Sequence, residues 1–137
     1  MRPGVGSGYV LLPQGSWTFR AGRLHNDGMV EHLFDSRGDW IAYRVRDKYV
    51  WTPDGDWIGW CPWERSPDIV VRVDGHYMGH IIDGRLFHKR TQGYLGYPGY
   101  PGYPGYPGYP GYPGYAGYRH PPIGYIDVPE ELLRPQK

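Results

Sequence analysis

The stretch Asp39-Trp40-Ile41-Ala42-Tyr43 returns three times in altered form: as Asp56-Trp57-Ile58-Gly59-Trp60, as His76-Tyr77-Met78-Gly79-His80 and as Gly93-Tyr94-Leu95-Gly96-Tyr97. The leading aromatics are 17, 20 and 17 residues apart. Each copy follows a turn signal: Ser36-Arg37-Gly38, Pro53-Asp54-Gly55, Asp74-Gly75 and Thr91-Gln92-Gly93. Glycine supplies the positive φ that tight hairpin loops require, and Pro and Asp favour the positions before it. A short β-prone run precedes each turn: His32-Leu33-Phe34, Tyr49-Val50-Trp51, Ile69-Val70-Val71 and Leu86-Phe87-His88. Strand, turn, strand is therefore expected four times over, giving eight short strands.

A single hairpin is not stable in water. Four similar hairpins can bury one another's apolar faces around a common axis, and closure protects their edges. The expected fold class is all-β: four pseudo-repeated hairpins around a pseudo-fourfold axis, as a shallow barrel. Alternation within a strand places Trp40 beside Ala42, Trp57 beside Gly59, Tyr77 beside Gly79 and Tyr94 beside Gly96. The opposite face then carries Ile41, Ile58, Met78 and Leu95 towards the axis. Glycine inside a strand marks the close approach of another group, for which a neighbouring repeat's aromatic ring is one candidate.

The composition divides the 137 residues into a flexible segment (1–16), a four-hairpin domain (17–97), a low-complexity tract (98–118) and a C-terminal segment (119–137). In the last, Ile123-Gly124-Tyr125 offers a strand that either rejoins the domain or does not, and Glu130-Glu131-Leu132-Leu133 offers a short helical turn. A net charge of +1 from interspersed Lys, Arg, Asp and Glu argues against a polyanion such as nucleic acid. With Cys61 alone there is no intramolecular disulfide, and neither a signal peptide nor a membrane helix is legible, so a cytoplasmic protein is expected.

From Gly93 to Gly117 glycine occupies every third position. Collagen requires that spacing, but tyrosine at every X position and the need for hydroxylated proline argue against a triple helix. A disordered insert biased to polyproline II, spanning roughly 70 Å if extended, is expected instead. Its tyrosines, Tyr97, Tyr100, Tyr103, Tyr106, Tyr109, Tyr112, Tyr115 and Tyr118, form a candidate self-association tract through stacking and contacts with arginine. Pro98-Gly99-Tyr100-Pro101 also has the P-x-x-P spacing read by aromatic-grooved domains.

No residue pattern points to catalysis, a metal or a cofactor. His76 and His80 would lie ~13 Å apart on a strand, too far to share an ion. His80 and His88 are candidates for contact across a hairpin. Asp39 and Asp56 read as turn caps, and Cys61 as an inert buried thiol.

The copies Phe34-Asp35-Ser36-Arg37-Gly38-Asp39-Trp40-Ile41-Ala42-Tyr43 and Asp54-Gly55-Asp56-Trp57-Ile58-Gly59-Trp60 resemble the 4-fold β-flower domains, small bacterial proteins with hairpin petals of the form D-x-x-G-x-[WY]-[IV]-G-[WYF]. The resemblance covers about residues 30 to 97 and implies the petal fold without an established activity. A looser likeness to Tubby-like barrels implies, by analogy, membrane-lipid binding. The functional expectation is a non-enzymatic binding or scaffold module, with Trp40, Trp57, Tyr77 and Tyr94 as candidate binding residues. The partner is an unidentified protein or a second copy. The alternatives are a peripheral membrane module with exposed aromatics and, more weakly, an enzyme.

Overall fold

A computed structural model describes residues 30–135; the expected flexible segment 1–16 lies outside them. Among the described residues eight strands follow in order: β1 (Val30–Phe34), β2 (Trp40–Val45), β3 (Tyr49–Trp51), β4 (Trp57–Trp60), β5 (Ile69–Arg72), β6 (Tyr77–Ile82), β7 (Arg85–Lys89) and β8 (Tyr125–Asp127), then a 3-10 turn at Glu130–Leu133. Each strand pairs antiparallel with the next, and a parallel pairing of Phe34 with Arg85 closes β1 to β7 into a barrel. Phe34 N donates to Gly84 O at the seam, 3.0 Å. The all-β, pseudo-fourfold barrel is as the repeats indicate.

Three hairpin tips share one construction. Asp35 N donates to Asp39 O, Thr52 N to Asp56 O and Arg72 N to His76 O, at 3.0, 2.8 and 2.6 Å. Three residues remain in each loop, the last a glycine at φ 92°, 96° or 95° (Gly38, Gly55, Gly75), as in a type I turn closed by a left-handed residue. Asp39 and Asp56 are not the turn caps expected from the sequence: the capping side chains belong to other residues. Asp35 Oδ1 accepts from Asp39 N, Thr52 Oγ1 from Asp56 N and Asp74 Oδ1 from His76 N, so the cap comes from the residue before the loop in the first two tips and from within the loop in the third.

The fourth hairpin differs. Tyr94-Leu95-Gly96-Tyr97 is not a strand; Tyr94 is 89% exposed and Leu95 is absent from the core. Its place is taken by β8, with Lys89 opposite Tyr125 and Phe87 opposite Asp127. Arg90 N donates to Gly124 O at 3.0 Å, the same pairing that closes the other tips. Residues 91–123 thus stand where three residues stand in the other hairpins, and the tract is an insertion in a loop tip. Asp127 fastens the two ends of the barrel together: its Oδ1 accepts from Ser36 N and its Oδ2 from Ser36 Oγ, both 2.7 Å.

The alternation expected within β2, β4 and β6 is also revised. The register slips by one residue at Leu33/Phe34, Val50/Trp51 and Val70/Val71, a bulge at the same place in three hairpins. A bulge inserts an extra residue and turns the following side chains over. Ile58 and Met78 lie in the core as expected, beside Leu33, Val50, Val70 and Leu86 and with Ile41 packed against them, and the bulge brings Ala42 into the same core instead of the opposite face. Trp40 meets Tyr43 on the outer face (6.2 Å between centroids) rather than sharing a face with Ala42. The close approach at the strand glycines comes from backbone, not from a ring: a Cβ on Gly59 would collide with Val71 O, and one on Gly79 would lie 2.5 Å from Phe87 O.

One buried ion pair ties the wall together. Arg44, 1% exposed, donates from Nη2 and Nε to Glu31 Oε1 at 2.6 and 3.1 Å and from Nη1 to Pro67 O at 2.9 Å. Cys61, a free buried thiol, lies 3.7 Å from Arg44 Nη1. Burial pushes the thiol up to about 11 against the pull of Arg44, so it is protonated at neutral pH. Leu132 and Leu133 of the 3-10 turn also pack on the core.

Candidate site where the tract crosses the aromatic rim

The candidate site is built from the outer residues of the first two hairpins. Tyr43, Val45 and Trp51 form a second buried cluster, with Val30, Trp40, Tyr49 and Trp57 packed against it. The two leading tryptophans are locked alike: Trp40 Nε1 donates to Ala42 O at 2.7 Å and Trp57 Nε1 to Gly59 O at 2.8 Å. Each indole caps the carbonyl of the residue just past the bulge. The polar edge of the ring is thereby used internally, and the π-surface is left to face outward.

The tract lies over this rim. Its glycines from Gly96 to Gly117 have φ between 82° and 96°, far from the polyproline II value near −75° expected of a proline-rich chain. Tyr-Pro-Gly-Tyr with Pro second and a positive-φ Gly third has the makings of a type II turn. Repeating it curves the tract around the tips in the order third, second, first hairpin. A Cβ on Gly75 would meet the Tyr97 ring at 3.1 Å, and one on Gly55 the Tyr106 ring at 3.1 Å. Trp57 contacts Tyr100 and Tyr103 at centroid distances of 5.9 and 5.8 Å. Trp51 contacts Tyr103 and Tyr106 at 5.9 and 5.8 Å, and Trp40 contacts Tyr109 and Tyr112 at 5.8 and 6.0 Å.

Those numbers contain a register. Tyr109 and Tyr112 stand nine residues beyond Tyr100 and Tyr103, as Trp40 stands one hairpin before Trp57. Tyr106 likewise stands nine beyond Tyr97, at the matching tip glycines. Three Tyr-Pro-Gly units therefore advance the tract by one petal, and every petal of this pair meets the same face of the repeat.

Polar contacts hold the backbone of the tract. Tyr43 Oη donates to Gly108 O at 3.2 Å, and His32 Nε2 lies 3.1 Å from Gly111 O. A carbonyl only accepts, so the neutral His32 ring carries its proton on Nε2. Arg85, buried at the barrel seam, donates from Nη1 to Gly117 O at 2.7 Å and from Nη2 to Ala116 O at 3.2 Å. Ala116 N donates to Gly38 O (3.0 Å) and Arg119 N to Ser36 O (2.7 Å). Burial, followed by the neighbouring Tyr106, raises the Tyr43 phenol to about 12.

The four candidate aromatics are separated by the structure. Trp40 and Trp57 are half-buried beneath tract tyrosines. Tyr77 instead joins His80 (5.5 Å) and His88 (5.1 Å), its hydroxyl 2.6 Å from His80 Nδ1. The two histidines thus meet through Tyr77. Tyr94 is in solvent, and Tyr125 occupies the corresponding hairpin position and faces His80 at 5.6 Å. Sequence reasoning missed Trp51, Tyr43, His32 and Arg85. Trp51, the aromatic directly before the second turn, was the legible signal among them.

A pH dependence follows. Burial holds His32 below the ordinary histidine range, partly offset by the bond to Gly111; burial and then Lys89 do the same for His80. The unfolded chain takes up these protons first, so stability fully present above about pH 6.5 declines as pH falls below it. Thermal unfolding should show a falling Tm from about pH 7 to about pH 5.5, and the double variant His32→Gln, His80→Gln should flatten that slope. An unchanged slope would remove the histidines as its cause.

No curated protein and no solved structure matches the chain. The family profile described as 4-fold beta flower protein matches residues 31–136. That span extends past the tract to β8 and the 3-10 turn, as expected if residues 125–127 complete the fourth petal. With three hairpin tips of one design, a fourth hairpin closed by the same backbone pairing, a closed barrel and a profile match over most of its length, the chain belongs to the 4-fold beta flower protein family.

Proposed function

We propose that this chain is a non-enzymatic binding or scaffold module whose barrel rim receives Tyr-Pro-Gly segments, its own tract being the segment held in cis. The observation that carries the reading is the nine-residue register: Trp57 against Tyr100 and Tyr103, Trp40 against Tyr109 and Tyr112. A rim that recognises a repeat in one chain accepts the same repeat from another, so a second copy is the natural partner for self-association. A reducing, cytoplasmic setting belongs to the same reading, supported by the single cysteine being a buried free thiol.

The test is a variant of the full chain with Tyr100, Tyr103, Tyr106, Tyr109 and Tyr112 changed to Ser, titrated with a synthetic peptide of Tyr-Pro-Gly units. The cis tract competes at an effective concentration of about millimolar, so the peptide should bind the variant at least about tenfold more tightly than the wild type. Failure to bind either chain, with tryptophan emission unchanged by the substitutions, contradicts the reading.

A peripheral membrane role is a second reading, favoured by the outer edges of the tract tyrosines, which are 52% to 69% exposed. Such rings suit the lipid headgroup layer. Recovery with liposomes on flotation supports it; absence from the lipid fraction at every lipid composition removes it.

A further inference from the structure

We propose that the cleft between the second hairpin and the tract is a binding site for an alkylammonium cation. A cavity of about 320 Å3 lies there, lined by Gly55, Asp56, Trp57, Val73, Tyr100 and Tyr103. The site rests on the seating of the tract, because Tyr100 and Tyr103 form one wall. Their rings are inclined to Trp57 by 50° and 68°, so the rings do not stack flat on one another and turn electron-rich surface in different directions. A cation over such faces is attracted by the ring quadrupoles, most strongly by Trp. Trp57 is fixed for this role by its bond to Gly59 O, which also removes its only donor from the cleft.

The charge of the ligand follows from the lining. It contains three electron-rich rings and one carboxylate, Asp56, and no basic side chain. An anion finds no partner there, and a small, strongly hydrated metal ion would lose its water to rings and a single carboxylate. A methylated ammonium group is weakly hydrated and sheds water at low cost, which matches an aromatic wall with acid at the mouth.

The corresponding place on the first hairpin is already satisfied. Arg37 Nε lies 3.7 Å from Asp39 Oδ2, and His32 packs on Trp40 at 5.3 Å. The third hairpin has His76 and Tyr77 in place of the Asp-Trp pair. The second hairpin combines the carboxylate, the indole and two tract rings around a cavity.

The experiment is an NMR titration of the full chain, following the tryptophan indole signals, with tetramethylammonium chloride against equal sodium chloride. Choline is then compared with its neutral isostere 3,3-dimethylbutanol, and with trimethyllysine to distinguish a free amine from a protein side chain. Saturable shifts of the Trp57 signal by the cations and not by the alcohol are expected. Asp56→Asn, at an exposed position, should weaken choline about threefold. No saturable shift, or an equal response to the alcohol, overturns the site. If Tyr103→Ser still moves the Trp57 signal in that case, the tract is seated and only the cation site is wrong. If Tyr103→Ser moves nothing, the seating is wrong and the site falls with it.

Discussion

Replacing Glu31 by Ala is expected to cost about 3–5 kcal/mol, because it leaves the Arg44 guanidinium without its one buried anion. Arg44 is 1% exposed, and Glu31 Oε1 receives two of its N–H donors. The remaining partners are Pro67 O, the Asp68 carboxylate at 3.4 Å and the Asp47 carboxylate at 3.9 Å; both acids are about half exposed and do not replace a buried charge 2.6 Å away. A domain of this size has about 5–15 kcal/mol in all, so the variant should be largely unfolded well below the wild-type midpoint. The double variant Glu31→Leu, Arg44→Met should recover most of the loss, since an apolar pair carries no desolvation penalty. Urea unfolding of the three chains checks both statements; a loss under about 1 kcal/mol for Glu31→Ala would mean that the pair behaves as a surface one.

Trp51→Ala is expected to cost a similar amount, about 3–5 kcal/mol, through lost burial and a cavity. Trp51 is 1% exposed and sits between two layers: Tyr43 and Val45 of the barrel on one side, Tyr103 and Tyr106 of the tract on the other. Its removal should therefore do more than destabilise. Proteolysis within residues 97–115 should accelerate under conditions where the barrel remains folded, because the middle of the tract loses its anchor. Equal loss of stability with unchanged tract proteolysis would place Trp51 in the barrel core alone.

What the sequence made legible was local. Three hairpins could be read because the turn glycine, the run before it and the aromatic after it lie within a few residues of one another. The fourth could not, because its two strands are separated by the tract and because Tyr94-Leu95-Gly96-Tyr97 imitates the leader that Tyr125 supplies. The bulges were invisible for a physical reason: one extra residue leaves composition and spacing intact while bringing Ala42 to the same core as Ile58 and Met78. The Glu31–Arg44 pair joins neighbouring strands in a cluster that also takes in Cys61 and Asp68, and nothing in a mixed-charge sequence distinguishes these residues from solvated ones. The seating of the tract is the extreme case. Eight tyrosines in identical surroundings carry no information about which tryptophan each will meet, and the register emerges only when three turns of the repeat are laid against one petal.

The most direct measurement is fluorine NMR of the full chain labelled with fluorotryptophan, its lines assigned by single Trp→Phe variants, for the substitutions Tyr103→Ser and Tyr109→Ser. The seated register predicts that Tyr103→Ser shifts the Trp51 and Trp57 lines and leaves Trp40 in place, while Tyr109→Ser shifts Trp40 and leaves Trp51 and Trp57. Two substitutions that move no line, or that move all three alike, would contradict it.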